Sequence, residues 1–114
     1  MQTYTFHQPA PCAKMLKSLG NVYRLQIIQL LMTGEKNVTE LNASVKVSQP
    51  ALSQHLARLR KEGIVQSRRF QRQIFYRIHN PQILRILAVV EDVISQRQSE
   101  VANVQAVQTM PQAA

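Results

Sequence analysis

A chain of 114 residues suffices for one domain with a modest core, and a formal charge of +8, fourteen Lys and Arg against six Asp and Glu, points to a polyanionic partner. Cys12 is the only cysteine, which excludes an intrachain disulfide and a thiolate zinc cluster built from one chain. No apolar run reaches the about 18 residues of a membrane span, and the N-terminus shows no signal-peptide apolar region, so a cytoplasmic protein with no membrane partner is expected.

Residues 1–10 carry no periodic pattern and residues 1–12 read as a flexible arm, with Pro9 and Pro11 bracketing the start of order and Tyr4 and Phe6 as candidates to pack on the first helix. Residues 13–19 form a short helix with Leu16 and Leu19 at i, i+3, closed by Gly20. Asn21 can cap a second helix through about Met32, with a stripe of Leu25, Ile28 and Leu31, and Gly34 ends it. Asn37-Val38-Thr39-Glu40 resembles a capping box and opens a third short helix through about Val45, with Val38 and Leu41 facing inward.

Lys46-Val47 then leads into a helix bounded by Ser48 as N-cap, Pro50 in the first turn and Gly63 at C′. Leu52, Leu56 and Leu59 share one stripe at 100° per residue, whereas Ser53, Gln54, Ala57, Arg58 and Lys61 lie on the other side. Ser and Gln rimmed by Arg and Lys suit a helix that reads base edges while holding phosphates. An ordinary solvated face has the same composition, so the neighbours decide. Residues 64–70 and 73–78 are β-rich runs joined by Gln71-Arg72, a hairpin signal that lacks the Gly or Asn of tight primed turns.

Seven of the fourteen basic residues fall in the twenty-residue window 58–77, against Glu62 alone, and they alternate with Ile64, Val65, Phe70, Ile74, Phe75 and Tyr76. That interleaving describes a folded basic surface rather than a tail. Asn80-Pro81 supplies N-cap and N1 for a long last helix with a stripe of Ile83, Leu87, Val90 and Ile94, and residues 98–114 read as a frayed or disordered tail. The expected fold is mainly α with a small β-hairpin, α-α-α-α-β-β-α, with a helix-turn-helix in its third and fourth helices, the hairpin as wing, and residues 13–97 as the domain.

Two separated stretches sharpen this reading. Leu16-Lys17-Ser18-Leu19-Gly20-Asn21-Val22-Tyr23-Arg24-Leu25-Gln26-Ile27-Ile28 resembles the opening segment of the ArsR/SmtB family of bacterial repressors. Residues 47–56, with Leu59-Arg60-Lys61-Glu62-Gly63-Ile64-Val65, resemble that family's recognition helix and entry to the wing, and Phe75-Tyr76-Arg77-Ile78 its second wing strand. The resemblance implies a homodimeric winged helix-turn-helix regulator, joined through its first and last helices (Leu16, with Ile83, Leu87, Val90 and Ile94) and bound to double-stranded DNA at an inverted-repeat operator. The expected DNA-binding residues are Ser48, Gln49, Ser53, Gln54, His55 and Arg58 of the helix and Arg68, Arg69 and Arg72 of the wing.

The departures from the family pattern are equally informative. Where metal-sensing members carry a Cys-x-Cys box, this chain has Glu40-Leu41-Asn42-Ala43-Ser44-Val45, and residues 80–95 hold Glu91 and Asp92 but no His. The cysteine pair of persulfide-responsive members is also missing. The sequence therefore resembles the metal-independent branch, and no metal site or cofactor is expected. His55 sits beside its helix's apolar stripe, which favours packing or a phosphate contact. His7 and Cys12, five residues apart, are a weak candidate for a shared metal site, and Cys12 near Lys14 is a candidate redox switch. Ser53 has no Asp–His arrangement or Gly-rich elbow, so no enzyme activity is expected. A DNA-binding repressor is the leading reading, the alternative being a redox- or ligand-responsive sensor acting through Cys12 or His7. A protein-interaction module that has lost DNA binding is disfavoured because the polar face and wing arginines are retained.

Overall fold

The computed structural model describes residues 7–109, so Tyr4, Phe6 and the end of the expected tail lie outside the described residues. In order come α1 (Pro9–Leu19), α2 (Val22–Leu31), β1 (Lys36–Asn37), α3 (Val38–Ser44), α4 (Gln49–Lys61), β2 (Val65–Phe70), β3 (Gln73–Ile78) and α5 (Gln82–Thr109). The chain divides into two compact units, residues 1–80 with α1 to β3 and residues 81–114 with α5.

Local chemistry sets most helix boundaries. Asn21 Oδ1 accepts from the backbone N–H groups of Tyr23 (2.9 Å) and Arg24 (3.2 Å) and starts α2. Asn37 and Glu40 form the reciprocal capping box, Glu40 N donating to Asn37 Oδ1 (2.8 Å) and Asn37 N to Glu40 Oε1 (3.0 Å). Ser48 Oγ caps α4 by accepting from Ala51 N at 3.3 Å. At the other end Gly63 (φ 72°) takes the left-handed conformation, Ile64 N donates to Leu59 O (2.9 Å) and Gly63 N to Arg60 O (3.0 Å). That pair of bonds is the Schellman motif, and it buries Leu59 and Ile64 together at the helix exit.

Three boundaries differ from those expected. α1 begins at Pro9 rather than residue 13, because Pro is tolerated in the first turn, where the N–H groups have no intrahelical partner. β1 is an additional strand: Lys36 pairs with Tyr76 and Asn37 with Phe75, giving a three-stranded antiparallel sheet of order β1-β3-β2. α5 continues to Thr109, well past residue 97, since Gln, Ala and Glu favour helix and no Gly or Pro interrupts residues 98–109.

The core of the first unit comes from the expected stripes. Leu52, Leu56 and Leu59 of α4 pack inward with Ile27, Ile28 and Leu31 of α2, Leu41 of α3, and Ile64 and Val65 at the start of the sheet, each at most 3% exposed. Burial of each such side chain contributes about 1.5–3 kcal/mol, so the apolar face of α4 is its main anchor. The connection between α3 and α4 is closed by Asn42, whose Nδ2 donates to Val47 O at 3.0 Å. In the hairpin, Val65 pairs with Ile78 through to Phe70 with Gln73. Gln71 takes positive φ (58°) in the two-residue turn, in place of the glycine such turns favour.

Candidate nucleic-acid interface

Fixing the leucine stripe inward fixes which α4 residues face outward. Gln49, Ser53, Gln54, Ala57, Arg58 and Lys61 are exposed. Among the described residues, the side chains of Gln49, Ser53 and Gln54 make no hydrogen bond within the chain, so their amide and hydroxyl groups are available to an external partner. Ser48 is engaged as the N-cap.

Behind this face lies a polar cluster that sequence spacing did not indicate. Arg24 of α2 donates through Nε to Ser18 O (2.6 Å) and through Nη2 to Lys17 O (2.9 Å), neutralising carbonyls at the C-terminus of α1. Its Nη1 lies 3.1 Å from His55 Nδ1 on α4. Arginine has only donors, so Nδ1 must accept and the His55 ring carries its proton on Nε2. Burial, and then the Arg24 charge, lower the His55 pKa from its ordinary 6.5. The Tyr23 ring sits with its centroid 6.0 Å from that of His55. Arg58 Nε donates to the hydroxyl of Ser18, which is fully buried and itself donates to Lys14 O (3.2 Å). His55 and Arg58 thus tie α4 to α1 and α2, and half-buried His55 has one ring nitrogen committed to the protein.

The wing arginines, expected to act alike, divide in two. Arg68 grips Glu35 in a bidentate ion pair, Nε donating to Oε2 (2.8 Å) and Nη2 to Oε1, and its guanidinium lies over the Phe75 (5.1 Å) and Phe70 (5.7 Å) rings. Hydrogen bonding from Arg68 holds the Glu35 carboxyl below its usual pKa, and the same bonds raise that of Arg68. Arg69 and Arg72 are exposed, and among the described residues neither is paired. Arg77 donates to Gln66 Oε1 through Nε (3.2 Å) and Nη2 (2.8 Å).

Charge is segregated between the units. Residues 1–80 carry twelve Lys and Arg against three Glu, a formal +9, whereas residues 81–114 carry two against three, −1. Each of the three Glu residues is engaged: Glu35 with Arg68, Glu40 in its capping box and Glu62 with Lys14 at 3.6 Å. All three Glu residues of the winged unit are thus paired or capping, and Arg58 and Lys61 on α4 and Arg69 and Arg72 on the hairpin are exposed.

A sequence profile described as "Bacterial regulatory protein, arsR family" matches residues 21–67, from the start of α2 into the wing. The chain is 34% identical over 87 residues to the transcriptional activator HlyU of Vibrio cholerae, covering 76% of this chain and 81% of that protein. The chain belongs to the ArsR family. It is a transcriptional regulator with a DNA-binding winged helix-turn-helix, and α3, α4 and the β2–β3 hairpin are that motif. It is also 46% identical over 66 residues to the biofilm growth-associated repressor of Xylella fastidiosa, 58% of this chain and 58% of that one. Among solved structures it resembles Mycobacterium tuberculosis Rv0081 (TM-score 0.78, 31% identity, 86% of this chain and 99% of that chain). It also resembles a homodimeric winged helix-turn-helix DNA-binding domain from Mycobacterium bovis (TM-score 0.70, 27% identity, 87% of this chain and 95% of that one).

Leu16 is 58% exposed; on α5, Val90 and Ile94 are 45% and 49% exposed and Leu87 is half-buried. Ile83 is buried at 3% within the single chain and so has little surface left for a partner. Cys12 is exposed in α1, and the cation expected to activate it, Lys14, reaches instead to Glu62. Among the described residues no three His, Cys, Asp or Glu side chains gather as a metal site, and no helix is long and apolar enough to cross a membrane. Sequence reasoning missed Arg24, Ser18, Asn42 and Glu35. Arg24 and Ser18 stand within the family-like segment 16–28, yet neither type nor spacing named their partners.

Proposed function

We propose that this regulator is a cytoplasmic homodimeric repressor that reads an inverted-repeat operator with α4 in the major groove and needs no metal effector. The observation that carries the reading is the α4 face itself: Gln49, Ser53 and Gln54 are exposed and without intramolecular partners, opposite a leucine stripe that is fully buried. Gln suits a bidentate bond to adenine N6 and N7, and Ser makes adaptable contacts with either base. Arg69 and Arg72 meet phosphate or the minor groove beside it. A second copy covers the exposed aliphatic face of α5, where Val89, Val90, Val93 and Ile94 would otherwise leave an apolar patch in water.

Selection of bound duplexes from a random pool, followed by gel-shift and sedimentation, tests this reading. It expects a dimer at micromolar concentration and an enriched inverted repeat with half-site centres about 10 bp, or a multiple of it, apart. Affinity is expected to be the same with zinc, chelator, oxidant or reductant present. A monomeric protein, an unstructured selected pool, or a more than about tenfold loss of affinity with zinc or with oxidant would each refute part of it.

A further inference from the structure

We infer that Glu35 is a positioning residue for DNA binding, acting through Arg68 to hold the wing in its binding orientation, and that Arg68 is a structural clamp rather than a phosphate contact. The inference rests on the DNA-binding reading above.

A lone hairpin is a weak element. A two-stranded ribbon is marginally stable by itself, and β2–β3 extends toward its tip with Phe70 and Ile74 both exposed (54% and 44%). Ordering such a ribbon on DNA would subtract from affinity, so whatever fixes it beforehand strengthens binding. The sheet supplies that fixture on one face. Asn37, Phe75 and Arg68 stand opposite one another across β1, β3 and β2 and so share a face, and Glu35 lies two residues before Asn37. The Arg68 guanidinium, resting against Phe75 of β3 and Phe70, meets the Glu35 carboxylate from the β2 side. Asn37 Nδ2 adds a bond to Gln73 Oε1 (3.2 Å), one residue past the turn. The clamp thus runs from the segment after α2 across all three strands.

An isolated surface ion pair contributes little. This pair differs in being bidentate, in stacking on two rings, and in a Glu35 side chain only 24% exposed. A bidentate phosphate contact through Nε and Nη2 would require Arg68 to release the carboxylate. Arg69, the next residue along β2, points to the other face and has no such ties.

The two roles for Arg68 predict opposite signs for a change at Glu35. A clamp predicts that Glu35→Ala weakens operator binding although it removes a negative charge from the interface. A phosphate contact predicts that Glu35→Ala releases Arg68 and tightens binding. The experiment measures wild type, Glu35→Ala, Arg68→Ala, the double variant, the exchange Glu35→Arg with Arg68→Glu, and Arg72→Ala on the selected operator across a salt series. Melting curves establish that each variant is folded. We expect both single variants to lose about fivefold, the double variant no more than either single one, and the exchange to recover most of the loss. The slope of log K against log salt stays unchanged for Arg68→Ala. Tighter binding by Glu35→Ala, an additive double variant, or a slope reduced by about one unit in Arg68→Ala overturns the inference. Failure of the DNA-binding reading is separate: there the wild type itself shows no preference for the operator and Arg72→Ala changes nothing.

Discussion

Arg24 joins α1, α2 and α4 through one guanidinium, so its removal has a calculable consequence. Arg24→Ala takes the donors from Ser18 O and Lys17 O and leaves His55 Nδ1 without its partner. Hydrogen bonds from a charged donor contribute about 1.5–3 kcal/mol each, and neutral ones about 0.5–1.5 kcal/mol. The Lys17 contact is exposed, where water substitutes readily, and the other two are partly buried. Taking the two partly buried bonds at the low end of the charged range, about 1.5 kcal/mol each, and the exposed one at up to about 1 kcal/mol gives a loss of roughly 3–4 kcal/mol, a sizeable fraction of the 5–15 kcal/mol typical of a domain. Arg24→Lys recovers at most about 1 kcal/mol, because one ammonium cannot reach three acceptors held in a planar fork. Urea denaturation followed by far-UV circular dichroism at a fixed chain concentration measures both, fixed because the proposed dimerisation would make apparent stability concentration-dependent. An Arg24→Ala variant within about 0.5 kcal/mol of wild type, or an Arg24→Lys variant equal to it, would refute the reasoning.

Two further outcomes are expected. His55 has its folded pKa lowered, so between that value and 6.5 the unfolded chain binds more protons and stability rises with pH; the contribution is complete above about 6.5 and is lost as pH falls through the folded value. His55→Asn keeps an acceptor at the Nδ1 position without titrating, so it should flatten this part of the profile of urea midpoint against pH, and an unchanged slope would remove His55 as its source. Gly63→Ala should cost about 1–2 kcal/mol, purely through its left-handed backbone, since an added Cβ meets nothing within 4 Å. Gly63→Asn should cost less, and thermal melts that rank Asn below Ala would count against the Schellman assignment.

What the sequence disclosed follows from the range of each interaction. The caps Asn21, Asn37 and Ser48, the exit at Gly63 and the Leu52–Leu56–Leu59 stripe act within a few residues, so spacing alone located α2, α3 and α4 and the outward face of α4. The wing was legible from β-rich runs flanking Gln71-Arg72, although its turn uses Gln71 in a conformation that glycine usually fills. β1 was not legible, since two residues are too few for alternation to appear. The polar partners were hidden for a related reason. Arg24 and His55 are 31 residues apart, Arg68 and Glu35 33, and Arg58 and Ser18 40, and nothing in a single sequence pairs charges over such distances. Composition alone made all the wing arginines look equivalent, whereas the fold engages Arg68 and leaves Arg69 and Arg72 unpaired.

The central claim is that α4 reads bases and the wing tip holds the backbone. Gln54→Ala and Arg72→Ala, measured on the selected operator and on a scrambled duplex across a salt series, test it most directly. Gln54→Ala is expected to cost roughly 1–3 kcal/mol on the operator and little on scrambled DNA. Arg72→Ala is expected to weaken both alike and to reduce the log K against log salt slope by about one unit. Equal loss on both duplexes for Gln54→Ala, together with operator-only loss for Arg72→Ala, would contradict it.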